Sequence, residues 1–145
     1  MTAKEWFGRV LEAQEELDAL KMQQDKLTSL CYPGAAEIRE VVQDGHLPSS
    51  KAEKYVELRE ELEAKYMSRS VEWMQLLRDA DRVISMIPKA RHREVLQYRY
   101  LCGLTWEGVR IAMKYSDVRS AHKVHGWALR DAEKIMMQLG IVCHP

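Results

Sequence analysis

Little in this sequence can cross-link, bend or anchor the chain. Its three cysteines, Cys31, Cys102 and Cys143, are odd in number and far apart, with no Cys-x-x-Cys pair. That argues against a disulfide framework and offers no zinc spacing, so neither a metal nor a cofactor is expected. Four prolines and seven glycines leave too few turn formers for a β-rich fold. No apolar run approaches the ~18 residues of a membrane span, and the N-terminus lacks a basic stretch leading into an apolar one. The expectation is a cytoplasmic protein without a membrane partner.

Catalytic patterns are equally scarce. There is no glycine-rich phosphate loop and no nucleophile elbow. His122 and His125 lie three apart, but no Asp, Glu or Cys constellation with metal spacing surrounds them. Asp131 and Glu133 are two apart and cannot share a helix face. Neither enzymatic chemistry nor a small-molecule substrate is expected, and the histidines read as solvent or phosphate contacts.

What the chain does have is helical periodicity and a lopsided charge. Residues 1–87 hold 12 Lys/Arg and 17 Asp/Glu, whereas residues 88–145 hold 10 and 5, with four of the five histidines. An acidic N-terminal part and a basic C-terminal part suit a module facing phosphate. This sets a division into a helical coiled-coil or oligomerisation region over 1–88 and a separate module over 89–145.

The N-terminus opens on a Thr2-x-x-Glu5 capping box. Behind it Trp6, Val10, Ala13, Leu17, Leu20, Gln24, Leu27 and Cys31 alternate spacings of four and three, the coiled-coil period. A helix of about 30 residues, ~45 Å long, is predicted. Tyr32-Pro33-Gly34 ends it. A short helix follows over Ala35 to Gln43, then a loop over Asp44 to Ser49. A second capping box, Ser50 to Glu53, starts the longest helix, which runs to Ile87 with Leu58, Leu62, Tyr66, Trp73, Leu77, Ala80, Ile84 and Ile87 along its seam. These two helices can pair antiparallel within one chain or between two. Trp6, Val10, Leu17, Leu20, Leu27, Leu62 and Trp73 are the candidate oligomer-interface residues, and a homodimer is the expected assembly.

From Glu94 to Leu139 the periodicity resolves into three helices. The first carries Val95, Leu96, Tyr98 and Leu101 and stops at Cys102-Gly103, where glycine enters the left-handed region without a Cβ clash. Thr105 caps the second, which carries Trp106, Val109 and Met113. Ser116 or Asp117 caps the third, in which Ala121, Val124 and Ala128 turn inward. A short helix, a tight turn and a longer helix, supported by a preceding one, form a helix-turn-helix arrangement whose last member can lie in the DNA major groove. The expected fold is therefore all-α: a long antiparallel helical hairpin or coiled-coil extension followed by a three-helix helix-turn-helix module.

The residues Tyr98-Arg99-Tyr100-Leu101, Gly103, Thr105-Trp106-Glu107, Met113, Tyr115-Ser116, and His125-Gly126 with Ala128-Leu129 resemble the region-four helix-turn-helix of bacterial sigma factors. They are closer still to a family of small, uncharacterised phage and prophage proteins that carry this module behind a helical N-terminal half. Met1 to Glu5, and Ile87-Pro88 followed by Arg91 to Leu96, look like the same family. The resemblance implies a phage-type DNA-binding transcriptional regulator acting on double-stranded DNA in the bacterial host cell, with RNA polymerase as a further possible partner. The alternatives are a protein-interaction module with a degenerate helix-turn-helix, or a small terminase-like DNA-packaging subunit.

On that reading the third helix presents Arg119, Ser120, His122, Lys123 and Arg130 to DNA. Arg and Lys reach guanine edges or phosphates, and Ser and His donate to phosphates. Arg91, Arg93 and Arg99 flank the module to grip the backbone, and Thr105 offers helix N-terminal N–H groups to a phosphate. Four positions depart from the family pattern. Arg110 replaces a small residue and must splay outward or shift the register. Lys114 stands where the turn prefers glycine, Trp127 stands where a basic residue is usual, and the span from Ser116 to His125 is one residue longer. That extra residue would rotate the reading face by ~100°.

Overall fold

The computed structural model describes residues 1–31 and 49–141. Every regular element among them is helical. The short helix expected over Ala35 to Gln43, the Tyr32-Pro33-Gly34 turn, residues 44–48 of the loop, and the Cys31 and Cys143 side chains lie outside the described residues, as does the Ser50 side chain of the second capping box.

Helix α1 spans Ala3–Cys31. Both halves of its capping box form: Glu5 Oε2 accepts from the Thr2 N–H at 2.7 Å, and Thr2 Oγ1 accepts from the Glu5 N–H at 3.2 Å. The two bonds satisfy donors that the first helical turn would otherwise leave open, and the backbone bond from Thr2 holds the Glu5 carboxyl below its usual range. Helix α2 spans Ser49–Ser85. It begins at Ser49, a residue expected in the loop, and ends two residues short of Ile87. There the N–H groups of Met86 and Ile87 reach back only three residues, to Val83 and Ile84, tightening the last turn before Pro88.

Helix α3, Ala90–Leu96, continues directly into a π-helical stretch, Gln97–Leu101. The sequence pattern predicts an ordinary helix through Leu101; instead the Cys102 N–H bonds five residues back to Gln97 at 2.8 Å. Gly103 then turns the chain at φ +68°. Helix α4, Trp106–Met113, starts where expected, with Thr105 Oγ1 accepting from the Gly108 N–H at 3.2 Å. It stops at Lys114, whose φ of 60° and ψ of 38° make it the single non-glycine residue of positive φ among the described residues. Helix α5, Val118–Gln138, is capped by Asp117, which accepts from both the N–H and the hydroxyl of Ser120 at 2.8 Å. It ends in a left-handed Gly140, φ +75°, with the Ile141 N–H returning to Met136.

The chain divides into two compact units, Met1–Ala13 with Trp73–Pro145, and Gln14–Glu72. The core of the first collects Phe7 and Val10 from α1, Ala80, Val83, Ile84 and Ile87 from the end of α2, Val95 and Leu96 from α3, and Val109 from α4. From α5 it takes Ala121, Val124, Ala128, Ala132 and Met136. Three alanines on one face of α5 let α3 and α4 approach it closely, and both pack against it. In the second unit Leu17 and Leu20 are buried, and Arg69 bridges Glu16 at 3.4 Å and Glu72 at 2.9 Å.

Four of the seven candidate interface residues, Trp6, Val10, Leu17 and Leu20, are thus buried within a single chain; Leu27, Leu62 and Trp73 are half-buried. Those four side chains of the α1 seam are covered by packing within the single chain.

Candidate nucleic-acid interface

The outer face of α5 is cationic from end to end. Arg119, Lys123 and Arg130 are all exposed. Lys134, four residues beyond Arg130, extends the row and was not among the expected site residues. Residues four apart lie on one helix face, so the set forms a stripe of about 23 Å at 1.5 Å per residue. Among the described residues none of the four has an ion pair with a carboxylate. Of the acids near the stripe, Asp131 pairs with His92 of α3, Asp117 is held by Ser120, and Glu133 is half-buried. Trp127 sits within the stripe at 48% exposure, clear of Trp106. Beside it Gly126 has nothing within contact range of where a Cβ would stand, so the backbone there is open to close approach.

Most of the other expected contacts are spent on the fold; among the described residues His122 alone of them makes no hydrogen bond through its ring nitrogens. Ser120 gives its N–H and hydroxyl to Asp117. Arg93 donates to the carbonyls of Ile87 and Pro88 at 2.6 and 2.8 Å, closing the end of α2. Arg99 donates to the Leu104 carbonyl at 2.8 Å and lies over the Trp106 ring at 4.7 Å. Arg91 remains exposed but hydrogen-bonds Tyr115 Oη at 3.0 Å and covers its ring. Thr105 is exposed with its oxygen occupied by the cap. His122 is exposed, with its ring 4.1 Å from that of Trp106. Sequence cannot separate a free guanidinium from one filling a carbonyl, because both read as an arginine near a helix end.

His125 is a correction. Expected at solvent or phosphate, it is buried, and its Nε2 shares a hydrogen bond with Tyr100 Oη at 2.8 Å. Phe7 stacks on the other side of Tyr100 with centroids 5.3 Å apart, and Trp106 meets His125 edge-on at 4.7 Å. Burial, reinforced by Lys4, His122 and Arg99, pushes His125 down to about 4, so it is neutral at neutral pH. Burial likewise pushes Tyr100 up to about 12 against the opposing charge of Arg99. The stack pins the start of α1, the π turn, α4 and α5 to one another and thereby fixes where the α5 stripe faces.

The departures resolve locally. Arg110 splays outward, bonding Glu107 and donating to the Tyr115 carbonyl at 3.1 Å, so no side chain is forced between α4 and α5. Lys114 accepts the left-handed conformation that glycine would adopt without strain. Among the described residues no group of three His, Cys, Asp or Glu can hold a metal ion, and no helix is long and apolar enough to cross a membrane. Comparison with family models, curated proteins and solved structures returns no match to this chain.

Proposed function

We propose that the chain is a DNA-binding transcriptional regulator of phage type, in which α3, α4 and α5 form a sigma region-four-like helix-turn-helix behind an antiparallel hairpin of α1 and α2. Helix α5 enters the major groove. Arg119, His122 and Lys123 near its start meet base edges and phosphates, and Arg130 and Lys134 meet the backbone further along. The observation that carries this reading is the stripe of four exposed cations on one face of α5, none of them in an ion pair among the described residues, in a chain whose net charge is zero. Cations left unpaired in a neutral protein are available to displace counterions from a polyanion.

Charge reversal tests it. Arg119→Glu with Lys123→Glu should abolish retention on duplex DNA while leaving the helical circular dichroism unchanged, since both side chains are exposed. Unchanged DNA affinity in that folded double variant would remove α5 as the contacting helix. A second reading, a protein-interaction module, draws on the exposure of Ile111 at 61% and Trp127 at 48%. Trp127→Ala separates the two: it should leave DNA retention within about threefold under the first reading and abolish partner capture under the second.

A further inference from the structure

Helix α2 is apolar on two opposite faces, and the chain covers one of them. The inner face carries Leu62, Tyr66, Trp73 and Leu77, half-buried, and then Ala80 and Ile84, fully buried. On the opposite side Ala64, Met67, Val71 and Met74 form a second row, with Met67, Val71 and Met74 exposed by 64%, 59% and 54%. Glu53, Glu57 and Glu60 continue that row toward the N-terminus and Arg78 toward the C-terminus, all exposed. From Glu53 to Arg78 the spacing alternates four and three without a break. This is the heptad period, in which such a row stays in contact with a facing helix.

We infer that this outer row of α2 pairs antiparallel with the same row of a second copy of the chain. The charge pattern selects both the partner and its direction. The row carries Glu60 before its apolar centre and Arg78 after it, so from Glu60 to Arg78 it is complementary to itself reversed. With a two-fold axis midway between Met67 and Val71, Met67 meets the partner copy's Val71. Ala64 then meets its Met74, a small residue against a large one, and Glu60 meets its Arg78. Each pair occurs twice, and each joins the two alternating heptad positions, the layering antiparallel coiled coils require. Among the described residues neither Glu60 nor Arg78 has an ion-pair partner. A parallel pairing in register would instead oppose Glu60 to Glu60 and Arg78 to Arg78, which repel. The favourable run spans about 27 Å and ends where Glu57 would face Asp81.

This pairing uses a different face from the α1 seam and does not depend on the nucleic-acid reading. Mass is measured without DNA, so failure of either leaves the other intact. Sedimentation equilibrium of the full chain across micromolar concentrations should give a dimer. Val71→Glu should give a monomer of unchanged helicity, because the side chain is exposed in the single chain. Glu60→Arg and Arg78→Glu should each weaken the dimer by at least about tenfold, and the double variant, which restores opposite charges across the axis, should recover most of that loss. A monomeric wild-type chain, a dimer indifferent to Val71→Glu, or a double variant no tighter than the singles would overturn the assignment.

Discussion

At the scale of single residues, Lys114 and His125 carry the clearest consequences. Lys114 holds a left-handed conformation that costs a side-chain-bearing residue about 1 kcal/mol. Lys114→Gly should therefore raise the unfolding free energy by roughly 0.5–1 kcal/mol in urea titration, with part of the relief offset by the greater freedom of glycine in the unfolded chain. A destabilised variant would mean that the lysine stem contributes more than its backbone strain. His125 predicts a pH dependence. Its folded value of about 4 lies below the ordinary imidazole value, so between the two the unfolded chain binds more protons. Stability from this group is complete above roughly pH 6.5 and is lost as pH falls toward 4, on the order of 2 kcal/mol after allowing for partial hydration. His125→Gln should flatten that slope even though it weakens the fold at neutral pH. An equally steep slope in the variant would assign the effect to another group.

At the scale of elements, how much was legible depended on whether the determining interaction was local. The Thr2–Glu5 box, the Thr105 and Asp117 caps and the Gly103 stop each involve residues within three positions of one another, and all were readable as short patterns. So was the inward face of α5, since Ala121, Val124 and Ala128 follow the 3.6-residue period. The π turn was not readable, because Gln97–Leu101 has the composition of an ordinary helix and the extra residue per turn accompanies packing around Tyr100. Nor were the Tyr100–His125 and His92–Asp131 contacts, which join residues 25 and 39 positions apart. Of the expected site, Arg119, Lys123 and Arg130 fall on one exposed face, whereas Ser120, Arg93 and Arg99 serve caps and carbonyls. Lys134 could have been found by extending the same period by one turn. The inward face yields its own prediction: Ala121 is fully buried, so Ala121→Asp places an unpaired charge in the core and should unfold the C-terminal helices. Native helicity and an unchanged melting temperature in that variant would contradict the packing of α5.

At the scale of the whole molecule, an even balance of charge conceals a sorting. Carboxylates outnumber cations 17 to 12 in residues 1–87, whereas cations outnumber carboxylates 10 to 5 in residues 88–145, where most of the acids are committed: Glu107 to Arg110, Asp117 to Ser120 and Asp131 to His92. Among the described residues the cations of the α5 outer face form no ion pair, and that imbalance is what the DNA-binding proposal rests on. It is tested most directly by fluorescence anisotropy of a random duplex titrated with the chain at a series of salt concentrations. If Arg119, Lys123, Arg130 and Lys134 each neutralise a phosphate, the logarithm of the affinity should fall with the logarithm of salt at a slope of about −3 to −4. The milder Arg119→Ala, Lys123→Ala variant, which removes two of the four cations without reversing their charge, should lose about half of that slope. Absence of binding even at low salt, or binding indifferent to salt, would contradict the account and turn attention to protein partners.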